Sequence, residues 1–221
     1  MILLASKSSG RLATLRAAGV EPLVRVSSVD EETVLGELIR GRRDAGLPAP
    51  SAAEQVQALA RAKALDVMTS TDPQEVEVVV GCDSMLEIAG QVVGKPADAA
   101  QARERWRMMS GGTGTLHTGH FLVRTADGTT AEGVSSATIR FGSPSPAEVE
   151  AYIASGEPLW CAGAFTIDGL GGAFIEGIDG DPHGVVGISL PLLRRLLAAL
   201  GVVWTDLWAP PPATKPVDDA H

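Results

Sequence analysis

Apolar residues recur along this chain in two rhythms, and the rhythms alternate. Ile2-Leu3-Leu4-Ala5 is a short apolar run followed by the polar turn Ser6-Lys7-Ser8-Ser9-Gly10, which predicts a buried strand opening into a helix. That helix starts at Ser8 or Ser9, carries Leu12 and Leu15 inward and stops at Gly19. Val24 and Val26 mark a second strand, and residues 40–50 read as a loop. Ser51-Ala52-Ala53-Glu54 has capping-box spacing and opens a helix with Val56, Leu59, Ala60, Lys63 and Val67 on one face. Val76, Val78, Val79 and Val80 form an apolar strand that stops at Gly81-Cys82-Asp83-Ser84, and a hairpin through Ala89-Gly90 leads to Gly94-Lys95-Pro96.

The second half continues the alternation. Asp98 caps a helix carrying Ala102, Trp106 and Met109, which Gly111-Gly112 ends. Residues 115–125 and 130–141 alternate as two antiparallel strands around Asp127-Gly128. Ser145-Pro146-Ala147-Glu148 is a second capping box, with Pro at the first helical position, and its helix buries Val149, Tyr152 and Ile153. A Gly-rich stretch from Gly163 to Gly187 precedes a last helix that starts at Ser189-Leu190-Pro191 and closes at Gly201. Early βα alternation followed by a hairpin predicts an α/β fold with a mixed twisted sheet flanked by helices. Residues 1–205 read as a single domain, and residues 206–221 as a loose, Pro-rich C-terminal tail.

Composition narrows the partners. The chain has 221 residues, 45% hydrophobic and 20% charged, with a formal net charge of −9. That balance fits a globular core, while the negative charge argues against nucleic acid or anionic lipid as a partner. An anionic small substrate then needs a local basic island. The cysteines are Cys82 and Cys161, too few and too far apart for a disulfide framework or a metal-site spacing, which fits a reducing, cytoplasmic setting. No secretory leader is visible, and Arg194-Arg195 interrupts the most apolar late stretch, so no membrane span is expected.

Against this background a few polar residues stand out. An ionised Asp83 closing an apolar strand is costly unless a cation, metal or donor meets it. The plainer reading is an Asp capping its own turn, but ligands gather at the carboxyl ends of strands in open sheets. At the first strand–helix turn, Ser6, Ser8 and helix-start N–H groups can hold a phosphate, with Lys7 and Arg11 adding charge. Lys63 lies on an apolar helix face, where it either snorkels or serves the site. Lys95 in its Gly-Lys-Pro turn is a further candidate cation, and Asp30-Glu31 offer a second carboxylate source for a metal shared with Asp83. Gly156-Glu157-Pro158 and Ala162-Gly163-Ala164-Phe165 flank a turn against which a base can lie, making Glu157 a candidate substrate contact. Cys82 and Cys161 read as small hydrophobes, since no His partner is identifiable. His117 and His120 fall on opposite faces of a strand.

Taken together, these segments resemble the Maf family of nucleoside triphosphate pyrophosphatases, also called septum-formation proteins, over most of residues 1–201. The matching stretches are Leu4-Ala5-Ser6-Lys7-Ser8-Ser9-Gly10-Arg11, Asp30-Glu31, Lys63-Ala64, Gly81-Cys82-Asp83-Ser84, Gly94-Lys95-Pro96, Ser110-Gly111, Thr118-Gly119, Gly156-Glu157-Pro158, Ala162-Gly163, Gly169-Leu170-Gly171 and Val185-Val186-Gly187. The chain departs from the family pattern at Ser9 and Gly10, where Pro and Arg usually stand, and at Gly112, Gly114, Cys161 and Asp168. The strings Leu116–Gly119 and Cys161–Phe165 look closer to the branch acting on 7-methyl-GTP than to the dTTP/UTP branch.

The resemblance implies two lobes around a central cleft, a relationship to inosine triphosphatase-like folds and a homodimer. It implies metal-dependent hydrolysis of a nucleoside triphosphate, on standard or modified bases, to monophosphate and pyrophosphate, with Mg2+, Mn2+ or Co2+. On this reading Asp83, Lys63 and Lys95 are catalytic. Ser6, Lys7, Ser8, Arg11 and Glu157 bind substrate, and Glu31 and Asp83 hold the metal. Two other readings stay open: a nucleotide-binding regulator of cell division with little catalysis, and a nucleotidyltransferase.

Overall fold

The computed structural model describes residues 1–209, and its elements follow the two rhythms. In chain order they are β1 (Ile2–Leu4), α1 (Ser9–Ala17), β2 (Leu23–Val24), α2 (Glu31–Asp44), α3 (Ala52–Met68), β3 (Val78–Ile88) and β4 (Gln91–Val93). Then come α4 (Ala99–Met109), β5 (Thr113–Arg124), β6 (Thr130–Phe141), α5 (Pro146–Ala154), β7 (Ile175–Asp179), α6 (Pro182–Val186) and α7 (Leu190–Ala199). Short 3-10 turns fill the Gly-rich segment at Glu157–Trp160, Ala162–Ala164 and Leu170–Phe174. Both capping boxes form as the spacing requires, with Ser51–Glu54 on α3 and Ser145–Glu148 on α5.

The strands make one seven-stranded mixed sheet, ordered β2-β1-β3-β5-β6-β7, with β4 added to β3. β1 runs parallel to β2 and to β3, and the remaining pairings are antiparallel. One detail of register positions everything that follows. On the edge of β3 away from β5, β1 covers Val78–Val80 and β4 covers Leu86–Ile88. Between them, no strand among the described residues pairs with residues 81–85 on that side. The chain leaving β1 and the chain leaving β4 therefore face each other across a gap in the sheet.

The two ends of β3 belong to different cores. Val78 and Val80 pack with Ile2, Leu4, Leu15, Leu122 and the α7 leucines. Leu86 and Ile88 pack with Trp106, Leu116, Phe141, Tyr152 and Phe165. Two lobes thus share the long strands, and Asp83 lies where they meet.

Helix α3 crosses β3 and β5 at very short range. A Cβ at Gly81 would run into Ala60 O, and one at Gly119 would run into Val56 O. These two glycines, offset by two residues in the ladder and so on one face (Asp83 opposite Gly119, Gly81 opposite Phe121), let the helix backbone sit directly on the sheet. That contact brings Lys63 down onto the strand.

Three expectations change. The Val76–Val80 strand does not stop at Asp83 but runs to Ile88, because β5 continues the ladder residue for residue past it. Residues 40–50 are not all loop, since α2 extends to Asp44 and is capped by Asp30, which accepts from the Glu32 and Thr33 N–H groups. Val34, Leu35, Leu38 and Ile39 have helical spacing, and Val34 and Leu35 pack against α3, but charged residues outnumber these four in the segment and two glycines interrupt it, which masked the stripe. Residues 206–209, placed with the tail by composition, lie on the body: Trp208 pairs with Val20, and Ala209 N–H donates to Gly19 O at 2.7 Å. The rest of that tail, residues 210–221, lies outside the described residues. No helix among the described residues is long and apolar enough to cross a membrane.

Candidate active site

The site is built in the gap along β3. From α3, Lys63 Nζ meets Asp83 Oδ1 at 2.5 Å and Glu31 Oε1 at 2.7 Å. Glu31 reaches it from the first turn of α2. Asp83 is 7% exposed, although it lies in mid-strand, and among the described residues Lys63 alone donates to its carboxylate. Burial pushes the Asp83 pKa upward, and the Lys63 and Arg11 charges pull it back only in part.

The β1 side is a closed network of buried side chains. Arg11 folds back beneath the turn, where Nε donates to Gly187 O at 2.8 Å, Nη1 to Ser6 Oγ at 2.9 Å and Nη2 to Ser84 Oγ at 3.1 Å. Ser84 and Thr118 hydroxyls meet at 2.8 Å, and Thr118 donates onward to Gly184 O at 2.8 Å. A guanidinium has five N–H donors, so two remain for a ligand. Ser6 Oγ accepts both from Arg11 and from Ser8 N–H, which leaves its own proton to donate outward. Ser8 caps α1 by accepting from Arg11 N–H at 3.4 Å, and Lys7 is exposed at the tip of the turn. A phosphate here would meet helix-start N–H groups and the positive end of α1.

The β4 side presents Lys95. The protein around it screens its ammonium from part of the solvent. That screening first, then the charges of Lys7, Arg11 and Lys63, lowers its pKa, while Glu31 opposes the shift. Lys95 thus lies within electrostatic range of Lys7, Arg11, Lys63 and Glu31. The turn that carries Lys95 is held by Arg105 of α4, whose buried guanidinium donates to Gly94 O at 2.5 Å and Lys95 O at 3.2 Å. Sequence reasoning missed Arg105. The signal was present, because residue 105 falls on the apolar stripe of Ala102, Trp106 and Met109, as Lys63 does on α3.

Glu157 is held from several sides. Its carboxylate accepts from Thr166 Oγ1 at 2.6 Å, from the Leu170 and Gly171 N–H groups at 3.0 Å each, and from Tyr152 OH at 3.0 Å. Burial raises its pKa, but these donors win and hold it below the ordinary carboxylate range. In the structure it braces the turn at Gly169–Gly171 from inside. Cys82 is fully buried and its thiol is pushed up to about 12 by that burial, while Cys161 is half-buried and also raised, so neither is a nucleophile at neutral pH. His120 is buried and neutral: Nε2 accepts from Ser189 N–H at 2.9 Å, so Nδ1–H donates to Thr118 O at 3.1 Å.

Among the described residues no group of three or more His, Cys, Asp or Glu side chains gathers to make a protein cage. Two carboxylates, Glu31 and Asp83, do converge on the Lys63 ammonium, and Asp83 keeps one oxygen without a protein donor. That set fits Mg2+-like ions, which commonly take one or two carboxylates and complete their shell with water and substrate phosphates.

Fold and site together define an α/β protein whose first strand–helix turn lies beside a buried Asp83–Lys63 pair. The model of the family described as Maf-like protein matches residues 1–200, and the chain belongs to that family. Relatives called nucleoside triphosphate pyrophosphatase align over nearly their full length. The one from Mycobacterium sp. strain JLS is 50% identical over 94% of this chain and 97% of its own. That of Streptomyces coelicolor is 50% identical over 95% of both chains, and that of Rhodococcus jostii is 51% identical over 93% of this chain and 95% of its own.

Proposed function

We propose that this chain is a nucleoside triphosphate pyrophosphatase that releases a nucleoside monophosphate and pyrophosphate. The observation carrying the proposal is the meeting of Lys63 with Asp83 in the gap where the Ser6–Arg11 turn also ends. Family membership and the relatives' activity support it. Water attacks the α-phosphorus, a new P–O bond forms, and the bond from that phosphorus to the bridging oxygen of the leaving pyrophosphate breaks. Asp83 takes the water's proton, a task its raised pKa suits. Ser6, Lys7, Ser8 and Arg11 hold the triphosphate, and Lys63 and Lys95 neutralise charge as pyrophosphate departs. Glu157 binds substrate at the turn it braces.

A divalent cation, Mg2+, Mn2+ or Co2+, would be held by Glu31 and Asp83 with the phosphates, where it would supply charge neutralisation. The proposal treats residues 1–205 as one catalytic unit that works in the cytoplasm, and as a homodimer, which light scattering tests. The activity is tested by incubating the protein with a panel of standard and modified nucleoside triphosphates, with and without each metal. Monophosphate and pyrophosphate in equal amounts support the reading. Binding without turnover returns it to the regulator, and product formation only with an acceptor to the nucleotidyltransferase.

A further inference from the structure

Lys95 sits on the backbone turn that leaves β4 at the edge of the gap, and a buried guanidinium holds that turn. Arg105 is 6% exposed and, among the described residues, has no acidic side chain paired with it; its acceptors are oxygens of Gly94, Lys95 and Gln101. Gln101 Oε1 takes Arg105 Nη2 at 2.8 Å and Ala97 N–H at 2.9 Å, so it ties the far side of the same turn. Gly163 N–H adds a second bond to Gly94 O at 3.0 Å. The next residue, Trp106, donates from Nε1 to Ala164 O at 2.9 Å. One turn of α4 thereby grips both the Gly94–Lys95 turn and the Ala162–Ala164 turn.

Taking a guanidinium out of water costs several kcal/mol, and carbonyl acceptors without a counter-charge offset only part of that. A Leu or Met on this apolar stripe would avoid the cost. Neither could hold two successive carbonyls, which a planar fork of donors does. We propose that Arg105 is the positioning residue for Lys95: by fixing the carbonyls of Gly94 and Lys95, it sets where the ammonium stands relative to Arg11, Lys63 and Asp83. The proposal rests on the pyrophosphatase reading for its kinetic consequence but not for its geometric one. The charged and titratable groups facing Lys95 are Lys7 and Arg11 from the β1–α1 side, Glu31 from α2, Lys63 from α3 and Cys161 from the Gly-rich segment.

The test compares wild type with Arg105→Met, Arg105→Lys and Gln101→Leu, using kcat/KM across pH and lysine-selective NMR titration of Lys95. Arg105→Met is expected to lower kcat/KM about 10- to 100-fold, the size of effect that an ångström-scale misplacement produces. Its alkaline limb and the Lys95 resonance move to higher pH as the ammonium escapes to water. Arg105→Lys restores part of the activity, and Gln101→Leu shows a smaller change in the same direction. In a Lys95→Ala background, Arg105→Met adds less than about threefold, because the two act as one unit. An unchanged Lys95 titration in the variants, or an equal loss in the Lys95→Ala background, overturns the proposal and leaves Arg105 a structural residue. If Arg105→Met does not fold, Arg105→Lys and Gln101→Leu decide on the same readouts. Wild-type protein without turnover sinks the pyrophosphatase reading instead, and the NMR titration still judges Arg105.

Discussion

The two sides of the gap in the sheet are built differently. On the β1 side, Arg11, Ser6, Ser84 and Thr118 form a side-chain network that closes on the carbonyls of Gly184 and Gly187. The network is part of the fold: without it, buried polar groups are left unpaired. On the β4 side, Lys95 has no side-chain hydrogen bond among the described residues, and its backbone turn is tied down by Arg105, Gln101 and Gly163. On the proposed reading, the β1 side would hold the triphosphate on a preformed network, and the β4 side would offer a cation carried on a clamped backbone turn. Rigid positioning and adjustable charge sit face to face across residues 81–85.

The largest expected effect falls between the two sides. Asp83→Asn should lower kcat about a thousandfold, the range for loss of a general base, while circular dichroism and the thermal midpoint show an intact fold. Near-normal turnover would remove Asp83 from the chemistry. The contrast itself is tested by pairing Arg11→Ala with Lys95→Ala. Both should cost about a hundredfold in kcat/KM. Arg11→Ala should also destabilise the protein by about 3 kcal/mol in urea unfolding, since it strips partners from buried acceptors, while Lys95→Ala leaves stability within about 0.5 kcal/mol. Equal destabilisation by both would erase the contrast.

A third prediction follows the β1-side network to its far end. Thr118 O holds His120, which in turn accepts from the N–H at the start of α7, and burial lowers the His120 pKa from 6.5 to about 4. In that window the unfolded chain binds a proton that the folded chain does not. Stability is therefore complete above pH 6.5 and falls as pH drops towards 4, by at most about 3 kcal/mol. His120→Gln should flatten unfolding free energy against pH in this range, and an unchanged slope would assign the loss to other groups. The smallest effect is on the pH profile of kcat/KM. Asp83 must be ionised and Lys95 protonated, and their shifts are inward: the acid limb should lie above the range of an ordinary aspartate and the alkaline limb below that of an ordinary lysine. Limbs at the unshifted positions would mean that neither group sets the profile.

Much of this was legible in the order of residues. The capping boxes at Ser51 and Ser145, the paired strands after Thr113 and the turn at Ser6–Arg11 rest on interactions within a few residues, which spacing alone encodes. The candidate status of Asp83 and Lys63 was legible because each breaks an apolar pattern. Arg105 breaks one too, but a single guanidinium beside Trp106 gave no hint of which carbonyls it would reach. Helix α2 has an apolar stripe at Val34, Leu35, Leu38 and Ile39, but its seven charged residues and two glycines obscured it.

The sequence by itself determined the local elements, the acidic surface and the set of chemical groups available to the site. Tertiary structure alone decided that β1 and β4 leave five residues of β3 uncovered between them, and that Gly81 and Gly119 let α3 press Lys63 onto Asp83. The physical reason is range. Caps and turns are fixed by neighbours in the chain, whereas the gap depends on where strands far apart in sequence begin and end their pairing, and no local pattern records that.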